Sequence, residues 1–242
     1  MPDTTLTRRP RCSDCPIRHR AVCARSDEVE FQKLEQMKYY RNVEAGQTII
    51  WRGDRLENVA SVVHGVASIS QTLEDGRTQM VGLLLPSDFI GRPGRALAPY
   101  DVTAVTDVTL CCFARKPFEE LVASSNNVSR RLLEMTLDEL DAAREWMVLL
   151  GRKTAREKIA TFLRMLVRRS QINDADQIQQ ILELPLTREA MADYLGLTIE
   201  TVSRQISGLK RNGVIRLHGS RGVEVLRHTQ LAAEASDDPL MP

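Results

Sequence analysis

Between Val128 and about Leu150, Leu133, Thr136, Leu140, Ala143, Met147 and Leu150 recur at alternating spacings of three and four. That is the a/d seam of a coiled coil, narrower than the face of a helix lying on a sheet, and it asks for a partner helix. Leu132, Leu137, Trp146 and Leu149 flank the seam. One flank is therefore expected to pack on the helix's own domain while the seam meets a second copy of the chain across a two-fold axis. Before this helix the chain is rich in short β-forming runs, and after it the periodicity is helical. The expected architecture is α+β, with a long helix joining a sensing half to an acting half.

A chain of 242 residues with 43% hydrophobic content has room for two domains, each with its own core. No apolar run approaches the roughly 18 residues of a membrane span, and no secretory leader is recognisable, so a cytoplasmic address and no membrane partner are expected. A net charge of +1 excludes a uniformly basic nucleic-acid coat but leaves room for a local basic surface. From Pro185 to Arg227 seven Arg and Lys stand against four Asp and Glu, a mild bias that carries no DNA assignment alone.

Five cysteines in a reducing compartment do not make a disulfide framework. Cys12, Cys15 and Cys23 form a C-x2-C-x7-C run, in which one tight turn aims two thiolates at one centre and a short loop returns the third. Three thiolates leave a closed site incomplete, and Cys111 or Cys112 could supply the fourth. Tetrahedral zinc and an iron–sulfur cluster are both compatible with such ligands. Arg11, Arg18, His19, Arg20 and Arg25 would offset the negative charge of four thiolates.

Residues 1–11 read as a disordered lead. A short helix follows, with Phe31, Leu34 and Met37 or Lys38 on one face. Thr48–Trp51, Val59–Val63, Val66–Ser70, Met80–Leu85 and Val102–Ala114 are short β-rich runs broken by glycine and proline turns, the pattern of an antiparallel roll or barrel. A helical stretch opens at Pro117. Beyond the long helix, Ile159, Phe162, Leu163, Leu166 and Val167 continue the helical period, and Ser170–Gln180 reads as a loop. Thr187 can cap one helix, Gly196 can end it in the left-handed conformation, and Thr198 can cap the next: a helix-turn-helix signature. On the second helix Val202, Ile206 and Leu209 face a core, while Glu200, Ser203, Arg204 and Ser207 form a polar face suited to base edges. Thr201 lies beside that face, and Lys210 and Arg211 further along suit phosphates. A β-hairpin around Gly219 and Gly222 reads as a wing, with Arg216 and Arg221 near phosphates.

In this order of parts the chain resembles the CRP/FNR superfamily of bacterial transcription regulators over nearly its whole length, most closely the oxygen-responsive FNR type. The resemblance rests on Cys12, Cys15, Cys23, Asp88-Phe-Ile-Gly91, Cys111 ahead of Pro117-Phe-Glu-Glu-Leu, and Glu200-Thr-Val-Ser203-Arg204. The interval before Cys23 is similar to that of the FnrL branch. The resemblance implies a [4Fe-4S] cluster as oxygen sensor, with Cys111 as the fourth ligand. It also implies double-stranded DNA with a TTGAT-N4-ATCAA-like palindrome, a homodimer, and RNA polymerase as a further partner. Cyclic-nucleotide binders of the superfamily carry a Glu soon after Phe-Ile-Gly and an Arg-Ser or Arg-Thr pair beyond it. Here Arg92 and Tyr100-Asp101 stand at those places, so a cyclic-nucleotide effector is not expected. Where the FNR type places an aspartate near the helix crossing, this chain has Ala143.

The expected divisions are a cysteine-rich segment over residues 1–27, a β-roll over 28–125, a dimerisation helix over 126–152, a winged helix-turn-helix over 153–229 and a loose tail over 230–242. An iron–sulfur redox enzyme is the contrasting class. No substrate-directed Ser/His/Asp set and no phosphate-cradling glycine loop is present, and the four histidines are scattered, so an enzyme is not expected.

Overall fold

The computed structural model of the protein describes residues 11–171 and 181–236. The lead over residues 1–10, most of the loop expected at Ser170–Gln180, and the end of the tail lie outside them. The chain divides into two compact units, Met1–Leu140 and Asp141–Pro242.

The first unit opens with a single helical turn, Cys12–Asp14, and then α1, Glu28–Met37. Asp27 and Glu30 close a reciprocal capping box at its start, each carboxylate accepting from the other's backbone N–H at 2.8–2.9 Å. The chain passes straight from α1 into β1, Lys38–Val43. The sequence reading placed no strand before Thr48. This one forms because its six residues pair in register with a strand seventy residues later, whereas Lys38 and Arg41 obscure its alternation. The remaining strands are β2 (Thr48–Ile50), β3 (Asn58–His64), β4 (Ala67–Thr72), β5 (Thr78–Leu84), β6 (Phe89–Ile90), β7 (Asp101–Ala104) and β8 (Val108–Ala114). They make two four-stranded antiparallel sheets, ordered β1-β8-β3-β6 and β2-β7-β4-β5. The expected single run Val102–Ala114 is thus two strands in different sheets. Gly65, with φ +82°, turns β3 into β4 at a point where a Cβ would lie 2.1 Å from the Asp107 carbonyl oxygen, so no other residue fits there.

Two cores result. Val43, Ile49, Val62, Leu84, Ile90, Val108, Leu110 and Cys112 fill the roll. Val22, Leu34, Val59, Cys111, Phe113, Phe118, Leu121 and Val128 form the second core, which draws on the cysteine segment, α1, α2 (Arg115–Ser124) and the start of α3 (Asn126–Arg152). Phe118 sits in its middle, 5.5 Å from both Phe89 and Phe113 ring to ring.

In the second unit the last turns of α3 pack inward through Trp146, stacked 3.9 Å from Tyr194, and through buried Leu149. Then come α4 (Ala155–Gln171), β9 (Ile181–Glu183), α5 (Arg188–Leu195), α6 (Ile199–Arg211), β10 (Ile215–His218), β11 (Gly222–Val225) and α7 (His228–Glu234). The three strands form one sheet in the order β10-β11-β9. The tail expected from residue 230 is not loose over its first part. Leu231 and Ala235 are buried, Arg156 clasps Glu234 through two hydrogen bonds of 2.9 Å, and Lys153 donates to the Ala235 carbonyl at 2.9 Å. Acidic composition hid this docking, because the acid is the partner of an arginine eighty residues earlier.

Along α3, Leu133 (60% exposed), Leu140 (45%) and Met147 (73%) stand open, as a seam requires, and Ala143 is exposed beside them. One assignment shifts. Leu137, beside the seam, is exposed with Leu133 and Leu140, whereas Leu150, expected in the seam, is half-buried and lies close to Gly196 of its own unit. The shift follows from the true helical pitch of 3.6 residues, which drifts away from a strict heptad over four turns. No helix among the described residues is long and apolar enough to cross a membrane.

Candidate thiolate centre and nucleic-acid interface

The cysteine segment is pinned by its apolar residues. Ile17, Ala21 and Val22 are buried, and a run of backbone bonds, Cys15 N–H to Cys12 O, Arg18 N–H to Cys15 O and Ala21 N–H to Ile17 O, coils the loop. Cys111 and Cys112 lie on β8, where successive side chains take opposite faces. Cys111 joins the outer core with Val22, Leu34 and Cys23, while Cys112 joins the core of the roll. Burial, followed by the charges of Cys15 and Cys12, pushes the Cys23 thiol up to about 11. Burial and then Cys12, Cys15 and Cys23 push Cys111 far above the ordinary thiol range. The four therefore lie within electrostatic reach of one another. Cys112 is raised to about 11 by burial, eased by Arg41 and by a hydrogen bond with Tyr39.

The donor chemistry fits a metal centre. Thiols that repel one another as thiolates in an apolar setting are drawn together by a bound cation, which displaces their protons. Among the described residues no three His, Cys, Asp or Glu side chains close up as ligands of a single ion.

The expected basic surround is only partly there. Arg18 lies over the Phe31 ring at 4.3 Å, and Arg25 pairs with Glu134 of α3 at 2.8 Å. Lys38, which sequence reasoning treated only as a possible face residue of α1, donates to the Cys12 sulfur at 2.9 Å, and Glu35 accepts from the Cys12 N–H at 3.0 Å. Arg131 was also missed. From α3 it donates to the carbonyls of Arg20 and Ala21. No motif announces either residue, because their partners are distant in sequence or are backbone atoms.

In the second unit the helix-turn-helix forms as its caps dictate. Thr187 accepts from Ala190 N–H, Gly196 takes φ +61°, and Thr198 accepts from Thr201 N–H. Val202, Ile206 and Leu209 are buried, and Glu200, Ser203, Arg204, Ser207, Lys210 and Arg211 are exposed. Thr201 is half-buried, with both its amide and its hydroxyl engaged by Thr198. It therefore serves the cap. Glu200 is held below the usual carboxylate range by its own N–H and the Thr198 hydroxyl, so at neutral pH it is an ionised acceptor. Two cations, buried Lys158 and half-buried Arg156, brace the motif from α4. Lys158 donates to the Leu195 carbonyl at the end of α5, and Arg156 donates to the Gln205 carbonyl of α6, each at 3.0 Å. In the wing Arg221 is exposed at the turn, while Arg216 is paired across strands with Glu224 at 3.0 Å, which His218 also meets at 2.8 Å.

An antiparallel β-roll, a long helix with an open apolar edge and a winged helix-turn-helix define a DNA-binding transcription regulator of two units. Residues 40–125 match the cyclic nucleotide-binding domain and residues 157–234 the Crp-like helix-turn-helix domain. The chain is 64% identical to the transcriptional activator protein FnrL of Cereibacter sphaeroides, covering 94% of this chain and 93% of that one. It is 38% identical to the nitrogen fixation regulation protein FixK of Bradyrhizobium diazoefficiens, covering 93% and 94%. The solved structure of FixK2 from Bradyrhizobium japonicum superimposes with a TM-score of 0.75 at 30% identity, covering 83% of this chain and 98% of that one. The chain belongs to the CRP/FNR family of transcription regulators.

Proposed function

We propose that this chain is a homodimeric transcriptional activator that reports oxygen through a [4Fe-4S] cluster on Cys12, Cys15, Cys23 and Cys111. In this reading it binds a TTGAT-N4-ATCAA-like palindrome when oxygen is low and works with RNA polymerase. The observation that carries it is the placement of Cys111 on the face of β8 that meets the cysteine segment, with Cys112 on the other. A single zinc ion needs its sulfurs about 2.3 Å from one point, whereas a cubane takes each on a different iron. The C-x2-C-x7-C run with Cys111 and the resemblance to the FNR type favour the second. When bound, the cluster supplies the reactivity toward oxygen.

The chain's own residues carry the state of that loop onward. Arg131 holds the loop carbonyls and Glu134 holds Arg25, both from the helix that also presents Leu133 and Leu137 outward. A loop that moves changes the inner face of α3, and with it the crossing of the paired helices. Two recognition helices must sit about one DNA turn apart, so a small change in crossing lowers affinity. On α6, Arg204 is placed for a guanine, Glu200 for a cytosine amino group and Ser203 for a neighbouring base, with Ser207 on the same face and Lys210 and Arg211 for phosphates. A cyclic nucleotide has no place in this scheme. Asp101, where a phosphate partner would be needed, accepts from the Arg52 N–H at 2.8 Å.

Anaerobically purified protein should carry iron and inorganic sulfide in equal amounts and shift the palindromic duplex, and air should abolish both. Zinc without sulfide would replace the cluster reading with a structural metal and another signal.

A further inference from the structure

Lys38 stands where α1 ends and β1 begins, so two scaffolds fix it. Its N–H caps α1 at Leu34 O, and its backbone pairs opposite Phe113 of β8. In that ladder Tyr40 lies opposite Cys111 and Tyr39 opposite Cys112. By strand alternation Lys38 and Tyr40 therefore share the face of Cys111. The Lys38 side chain is only 7% exposed, and its ammonium lies 2.9 Å from the Cys12 sulfur and 3.6 Å from a Glu35 carboxylate oxygen. Glu35 is itself 41% exposed, so a lysine needing only that carboxylate could meet it from solvent. Burying an ammonium is costly unless it is paired, and a methionine would fill the same volume without that cost. The position of the charge is explained by what it faces: Cys12 directly, with Cys15 and Cys111 in electrostatic range.

We infer that Lys38 is a positioning residue for the thiolate centre, its ammonium orienting the Cys12 sulfur as a ligand and offsetting the negative charge that four thiolates bring into an apolar pocket. This rests on the cluster reading above. Hydrogen bonds to ligand sulfur and local charge set how firmly such centres are held, and loss of an outer partner typically weakens metal binding by about 10–100-fold.

The test uses full-length protein, reconstituted with iron and sulfide under strict anaerobiosis and then challenged with a ferrous chelator. Lys38→Met should release iron about 10–100-fold faster than wild type. Lys38→Arg, which keeps the charge, should stay close to wild type. The thermal midpoint of the metal-free protein should fall in neither variant. Should the methionine variant not fold, Lys38→Gln removes the charge with a polar side chain and should also release iron fast. Wild-type release rates in Lys38→Met or Lys38→Gln overturn the inference while leaving the cluster standing, as does a fast release matched by a lowered metal-free midpoint. A wild-type protein that gathers no iron and sulfide overturns both.

Discussion

The recognition helix and the thiolate centre are built in opposite ways. On α6 the exposed Glu200, Ser203 and Arg204 and the buried Val202 and Ile206 belong to one run of thirteen residues, started by a threonine cap immediately before it. The centre draws Cys12, Cys15 and Cys23 from the start of the chain and Cys111 from a strand about a hundred residues on, together with Lys38 and Arg131 from two further elements. A surface of the first kind exists as soon as its helix forms. A site of the second kind exists only when a sheet register, a helix end and a loop agree, and that dependence suits it to report a change of state.

The largest effect that could break this contrast is at β8. Cys111→Ser should abolish iron and sulfide retention, whereas Cys112→Ser should keep it and lose only packing in the roll; the opposite result would mean that the strand presents its other face. Metal-free Cys111→Ser should still show a folded second unit by amide exchange, because α6 is capped by Thr198 and braced by Arg156 within its own unit.

A smaller effect tests the helix between the two regions. With Ala143 on the open edge of α3, no carboxylate at that position repels its mate and Asp138 and Asp141 stand exposed to water, so air-exposed protein at micromolar concentration should remain largely dimeric in sedimentation while its DNA affinity falls. Ala143→Asp should become monomeric only when metal-free. Clean conversion of the wild type to monomer in air would show that dissociation alone is the switch.

Within the recognition helix, Arg204→Ala should cost roughly 1–3 kcal/mol of binding and relax preference at one base pair of each half-site. Equal weakening on every duplex would make Arg204 a phosphate contact. The smallest effect concerns the docked C-terminal segment. The Ser236 hydroxyl and the Thr154 amide and hydroxyl hold the Glu157 carboxyl down from 4.5 to about 2. A lowered carboxyl stabilises the fold above its ordinary range and loses that contribution as pH falls from 4.5 toward 2. Glu157→Gln should therefore melt below wild type at neutral pH and match it near pH 2.

The same contrast explains what the sequence disclosed. Caps, polar face and buried face of α6 were legible because each needs only neighbours three or four residues away. The C-x2-C-x7-C run was legible as a candidate ligand set, yet preferring Cys111 to Cys112 for the face toward the loop needed a family comparison, since alternation says that only one can face the loop and not which. β1 went unseen because its reason to exist is β8. The helix over the expected tail went unseen because its anchor is Arg156, and Leu150 reads as a seam residue because heptad counting ignores helical drift.

Arg156 has one more consequence, and it runs through Gly208. A glycine inside a helix costs about 1 kcal/mol relative to alanine, yet here a Cβ would lie 2.8 Å from an Arg156 nitrogen. The gap in α6 is the passage by which that guanidinium reaches the Gln205 carbonyl while its other edge holds Glu234. The aim of the helix is thus shared among α4, α6 and α7. Grafting residues 199–211 alone onto a related regulator would transfer the proposed base-reading residues without the bracket that points them. A chimera that also carries Arg156, Gly208 and Glu234 would keep both.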